Sequence, residues 1–75
     1  MGLYYYVLYM TPRDHVYACV LKGDRIRWTT ERVLQEVGED VSEYTVRDTL
    51  NAMSKTGILT HESNSRYWFV HPDYA

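Results

Sequence analysis

The sequence predicts a small α+β domain: three helices, a small antiparallel sheet ending in a β-hairpin, and an aromatic N-terminal strand or arm. Three observations carry this reading. Three segments each open on a Thr or Ser cap and then repeat apolar residues at helical spacing. Two short strand-like runs flank a polar Ser-Asn-Ser stretch near the C-terminus. The chain has 75 residues, 45% of them hydrophobic, which allows one domain with one modest core and is too apolar for a disordered tail.

Residues 3–10 (LYYYVLYM) are dense in aromatic and apolar side chains and read as a strand, or as an extended arm on an apolar surface. Thr11 then caps a helix over Pro12–Lys22, with Pro12 at its first position and Asp14 in its first turn. Val16 and Val20 share one stripe, Tyr17 and Leu21 lie beside it, and Gly23 is expected to end the helix as a left-handed cap. Arg25–Trp28 (RIRW) alternates, so Ile26 and Trp28 should face in and Arg25 and Arg27 out. Thr29 or Thr30 opens a short second helix with Val33, Leu34 and Val37 on its buried face, closed by Gly38. Ser42 caps a third helix, on which Val46, Leu50 and Met53 form a stripe; Lys55 lies near its end and Gly57 stops it. Ile58–Glu62 and Arg66–Val70 pair around Ser63-Asn64-Ser65, a hairpin with a three-residue loop that His71-Pro72 terminates.

Composition removes several classes of function. The single Cys19 forbids an internal disulfide and any multi-cysteine zinc site, and suggests a reducing, cytoplasmic setting. Its place between apolar helical residues makes it a small core residue. The apolar run at 3–10 is far short of the ~20 residues of a membrane span, and it lacks the basic region and cleavage site of a signal peptide, so no membrane is expected. His15, His61 and His71 are scattered without ligand spacing, so neither a metal nor a cofactor is expected. No Ser-His-Asp order, Gly-rich phosphate loop or paired carboxylates can be assembled, so the chain is not read as an enzyme. A net charge of −2 leaves any nucleic-acid contact to local charge.

The order helix, short strand, helix, turn, helix, hairpin, carried by TTERVLQEVG, VSEYTVRDTLNAMSKTGIL and RYWFV, resembles the winged helix-turn-helix family of DNA-binding regulators. The resembling positions are Ser42, Thr45-Val46-Arg47, Leu50 and Gly57-Ile58-Leu59, and the likeness spans about residues 11–70. It implies a transcriptional regulator that binds double-stranded DNA and reads the major groove with its third helix. The outward face of that helix would carry Tyr44, Thr45, Arg47, Asp48, Asn51 and Lys55, with Arg66 on the hairpin. Arg and Asn pair bidentately with guanine and adenine edges, and Tyr, Thr and Lys suit phosphates. Lys22, Arg25, Arg27 and Arg32 form a further basic cluster, offset by Asp24 and Glu31.

The chain departs from the family pattern at its turn, Gly38 to Ser42, which is longer than usual and acidic: Glu36, Glu39, Asp40 and Glu43 fall within eight residues. That charge, with the aromatic surplus, supports an alternative reading as a protein-interaction module. A homodimer or partner interface is expected at Tyr4, Tyr5, Tyr6, Tyr9 and Trp68, because one small core can cover only one face of each aromatic element. The bland alternatives are an arm folded over the first helix and a merely solvated face on the third.

Overall fold

A computed structural model describes residues 11–23, 25–38 and 41–74. The aromatic arm expected at residues 3–10, with Tyr4, Tyr5, Tyr6 and Tyr9, lies outside the described residues, as do Asp24, Glu39 and Asp40. Helix α1 spans Pro12–Lys22. Its start is held reciprocally: the Asp14 N–H donates to Thr11 Oγ1 at 3.2 Å and the Thr11 N–H donates to the Asp14 carboxylate at 3.0 Å. The Thr11 N–H, and after it the Thr11 hydroxyl, hold the Asp14 carboxyl below its ordinary range.

The end of α1 differs from expectation. Gly23 is extended, with φ −73 and ψ 159, and not left-handed. Glycine is required there by proximity: a Cβ would lie 2.6 Å from Trp28 Cζ2 and 2.7 Å from the Cys19 carbonyl oxygen. Strand β1 is only Arg27–Trp28. Trp28 is 1% exposed and its indole N–H donates to the Arg25 carbonyl at 3.1 Å. The alternation does not reach back to residue 26, so Ile26, expected to face in, is 58% exposed.

Helix α2 spans Thr30–Val37, with Thr29 as its cap: the hydroxyl accepts the Arg32 N–H at 3.1 Å. Val33 is fully buried, and Leu34 and Val37 pack partly buried against the core. Helix α3 spans Glu43–Lys55, capped by Ser42, whose Oγ accepts the Thr45 N–H at 3.2 Å. Gly38 and Gly57 follow α2 and α3 with φ of 82° and 88°, a region that L side chains disfavour.

Strands β2 (Leu59–Thr60) and β3 (Trp68–Val70) complete an antiparallel sheet of order β1-β3-β2, followed by a 3-10 turn at Pro72–Tyr74. A three-residue loop would pair Thr60 with Trp68; the sheet pairs Thr60 with Phe69 and Leu59 with Val70, one residue over. Burial decides this register. Leu59 and Val70 face inward together, as does Trp68, whereas the expected register would have turned Phe69 in against Leu59. The hairpin is consequently shorter and its connection longer, closed by a turn in which the Ser65 N–H donates to the Glu62 carbonyl at 3.0 Å.

The core joins Val16 and Val20 of α1, Val33 of α2, and Val46, Leu50 and Met53 of α3 to the inward face of the sheet. Trp68, expected at a partner interface, is 7% exposed within this core. Its place beside Trp28 in the antiparallel register turns it inward, and Phe69 is the outward aromatic of β3. No helix among the described residues is long and apolar enough to cross a membrane.

Candidate nucleic-acid interface

Burying Val46, Thr49, Leu50 and Met53 fixes the rotation of α3 about its axis and turns the opposite side outward. Tyr44, Arg47, Asn51 and Lys55 are all exposed and follow one another at three- and four-residue spacings, so they lie along one stripe. Tyr44 is 78% exposed. Thr45 is half-buried and engaged at the helix start, where its Oγ1 accepts the Ser42 hydroxyl at 3.0 Å. Asp48 sits on the side towards α1 and meets Arg13 at 3.7 Å.

Arg47 and Asn51 form one wall of a cleft of about 280 Å³ between α3 and the hairpin. Arg66, His61 and Ser65 line the hairpin side, and Thr30 and Glu31 close it from α2. Trp68 also lines the cleft; its buried indole N–H has no acceptor among the described residues. Three of the residues chosen from sequence, Arg47, Asn51 and Arg66, are therefore brought together, although 15 or more positions separate Arg66 from the other two. Tyr44 and Lys55 extend the same helical stripe beyond the cleft, whereas Thr45 and Asp48 belong to the helix cap and the α1 contact.

The cleft is not uniformly basic. Arg47 lies 3.4 Å from Glu43 one turn earlier, both side chains being well exposed. Such a pair contributes at most about 1 kcal/mol and yields readily to a stronger anion. Arg32 meets Glu36 at 3.3 Å in the same manner, so part of the basic cluster expected around α2 is engaged in local pairing. Arg25 and Arg27 instead lie over aromatic rings, those of Trp28 and Tyr67.

His61 was not legible as a cleft residue from sequence. Its ring stacks on Trp68 with centroids 4.1 Å apart and planes within 8°, and its Nε2 lies 2.7 Å from the Ser65 carbonyl oxygen. The signal that finds it is the register itself. Pairing Thr60 with Phe69 places His61 across from Trp68, on the inward side of the hairpin. These contacts tie His61 both to Trp68 of β3 and to the loop backbone at Ser65.

Elsewhere, Cys19 is half-buried and burial pushes its thiol up to about 11, so almost none of it is thiolate at neutral pH. Among the described residues no group of three or more His, Cys, Asp or Glu is placed to hold a metal ion. No protein-family model, curated protein or solved structure matches the chain.

Proposed function

We propose that the chain is a winged-helix DNA-binding regulator that lays α3 in the major groove of a duplex and sets its hairpin on the flanking backbone. The observation that carries this reading is the convergence of Arg47, Asn51 and Arg66 on one cleft between α3 and the hairpin. Arg47 and Asn51 occupy successive turns of an exposed helical face, which is the arrangement that offers two adjacent base edges a guanidinium and an amide. Arg66 stands at the hairpin, where a phosphate of the same duplex would pass.

Anisotropy titrations with random and then affinity-selected duplexes test the proposal. Arg47→Ala should weaken the selected duplex by ~1–3 kcal/mol and relax preference at one position, while Lys55→Ala should weaken all duplexes alike and reduce the salt slope by about one. Glu43→Gln should strengthen duplex binding, because it releases Arg47 and removes a charge near the phosphates. Absence of duplex binding at ~50 mM salt, where phosphate contacts are strongest, would contradict the reading.

A second reading, as a protein-interaction module, is favoured by a different place on the molecule. Leu21, Ile26 and Tyr74, exposed by 39, 58 and 52%, line a cleft of about 200 Å³ with Val20, Val70, Gly23 and Arg25. Contiguous exposed apolar side chains are a mark of protein interaction sites.

A further inference from the structure

The outward face of the sheet carries residues that the duplex reading does not use, and beside them stands Arg66, which the two readings share. Arg27 pairs with Phe69 and Phe69 with Thr60, so these three side chains stand in one row across β1, β3 and β2. Burial alternates around them: Trp28, Leu59, Trp68 and Val70 are buried, whereas Arg27, Thr60 and Phe69 are exposed. Tyr67, two residues before Phe69, tilts against it at 51° with ring centroids 6.4 Å apart. The guanidinium groups of Arg27 and Arg66 lie 4.6 and 5.4 Å from the centre of the Tyr67 ring.

Two arginines of this grouping are not neutralised locally. Arg13, Arg32 and Arg47 each meet a carboxylate, but among the described residues no carboxylate lies within ion-pair distance of Arg27 or Arg66. The opposing charges to be counted are Glu62, which shares a hollow of about 420 Å³ with Phe69, Thr60, His61 and Ser65, and Glu31, which lines the α3 cleft with Arg66. The face is thus an aromatic ring, 42% exposed, beside two guanidinium groups held on a neighbouring ring.

We propose that this sheet face binds single-stranded nucleic acid, with an unpaired base stacked on Phe69 and the flanking phosphates on Arg27 and Arg66. Charge and ring together select this occupant. A polyanion satisfies the two guanidinium groups, and an unpaired base supplies the flat π-face that an exposed ring can cover. A duplex keeps the faces of its bases stacked inside, so it gains nothing from Phe69. A second copy of the chain seated here would bring two pairs of guanidinium groups together. Thr60 places a hydroxyl beside the ring, where it donates to the Phe69 carbonyl at 3.5 Å. The proposal does not rest on α3, and its failure would leave the duplex reading untouched.

The test is a fluorescence-anisotropy titration of the full chain with labelled oligothymidylate and, in parallel, with a duplex. Phe69→Ala should weaken oligothymidylate binding by ~10-fold and Phe69→Trp should hold it within ~2-fold, since stacking tolerates any aromatic ring. Arg27→Gln combined with Arg66→Gln should weaken it further and flatten the salt slope by about 1.4, at ~0.7 for each single-strand phosphate that is no longer neutralised. Duplex affinity should not respond to Phe69→Ala. Unfolding midpoints of the variants show that each is folded. The proposal is overturned if the wild-type chain fails to bind oligothymidylate at ~50 mM salt, or if Phe69→Ala binds it as tightly as Phe69→Trp. Self-association that Phe69→Ala abolishes in sedimentation would also overturn it, and would assign the face to a second copy.

Discussion

Trp28→Ala is expected to lower the stability of the domain by ~3–5 kcal/mol, a large part of the whole stability of a chain this size. Trp28 is 1% exposed and, among the described residues, the largest of the fully buried side chains. It sits on a two-residue strand, so little backbone pairing would survive to hold β1 once the ring is gone. Its indole N–H also ties the preceding turn to the core through the Arg25 carbonyl. Urea unfolding followed by circular dichroism measures the change, with Ile26→Ala as the control. That side chain is mostly exposed and should shift stability by no more than ~0.5 kcal/mol. Equal losses for the two variants would mean that Trp28 does not anchor the sheet on the helices.

Gly23→Ala should destabilise the domain by ~1–3 kcal/mol, the usual cost of forcing an extra group into a packed place. The sign is the informative part. At an ordinary negative φ such as −73°, replacing glycine with alanine commonly stabilises, because it restricts the unfolded chain. Here the added methyl meets Trp28 Cζ2 at 2.6 Å and the Cys19 carbonyl oxygen at 2.7 Å. The ring could shift, but the carbonyl is helix backbone and accepts the Gly23 N–H at 3.0 Å. In a Trp28→Ala background the clash with the ring disappears and the penalty should shrink without vanishing. Unfolding free energies of the two single variants and the double variant give this coupling directly. A stabilising Gly23→Ala would show that the α1 end adapts and that the close approach carries no constraint.

The helices were legible in the sequence because their signals are local. Thr11, Ser42 and the run from Pro12 to Lys22 act within one or two turns, and the stripe Val46, Leu50, Met53 has a single way to face a core. The sheet was less legible because its register depends on partners distant in the chain. Ser63-Asn64-Ser65 suggests a loop length, but burying Leu59 and Val70 on one face overrules it by one residue. That shift sends Trp68 into the core, leaves Phe69 outside and brings His61 onto Trp68. Gly23 shows the same limit. A glycine after a helix suggests a left-handed cap, and only the approach of Trp28 from the next strand reveals a different reason. At the candidate interface, Arg47 and Asn51 could be chosen from helical periodicity. Their meeting with Arg66 across a cleft depends on how the hairpin docks. Arg47 and Asp48, read from sequence as outward-facing charges, are engaged with Glu43 and Arg13.

The cleft between α3 and the hairpin is most directly tested by amide and arginine side-chain chemical shifts of the full chain, titrated at low salt with a short random-sequence DNA duplex. Facing DNA through that cleft predicts the largest changes at Arg47, Asn51, Lys55 and Arg66, with Val16 and Lys22 of α1 unmoved. Spectra unchanged by the duplex, or changes confined to Leu21, Ile26 and Tyr74, would contradict it.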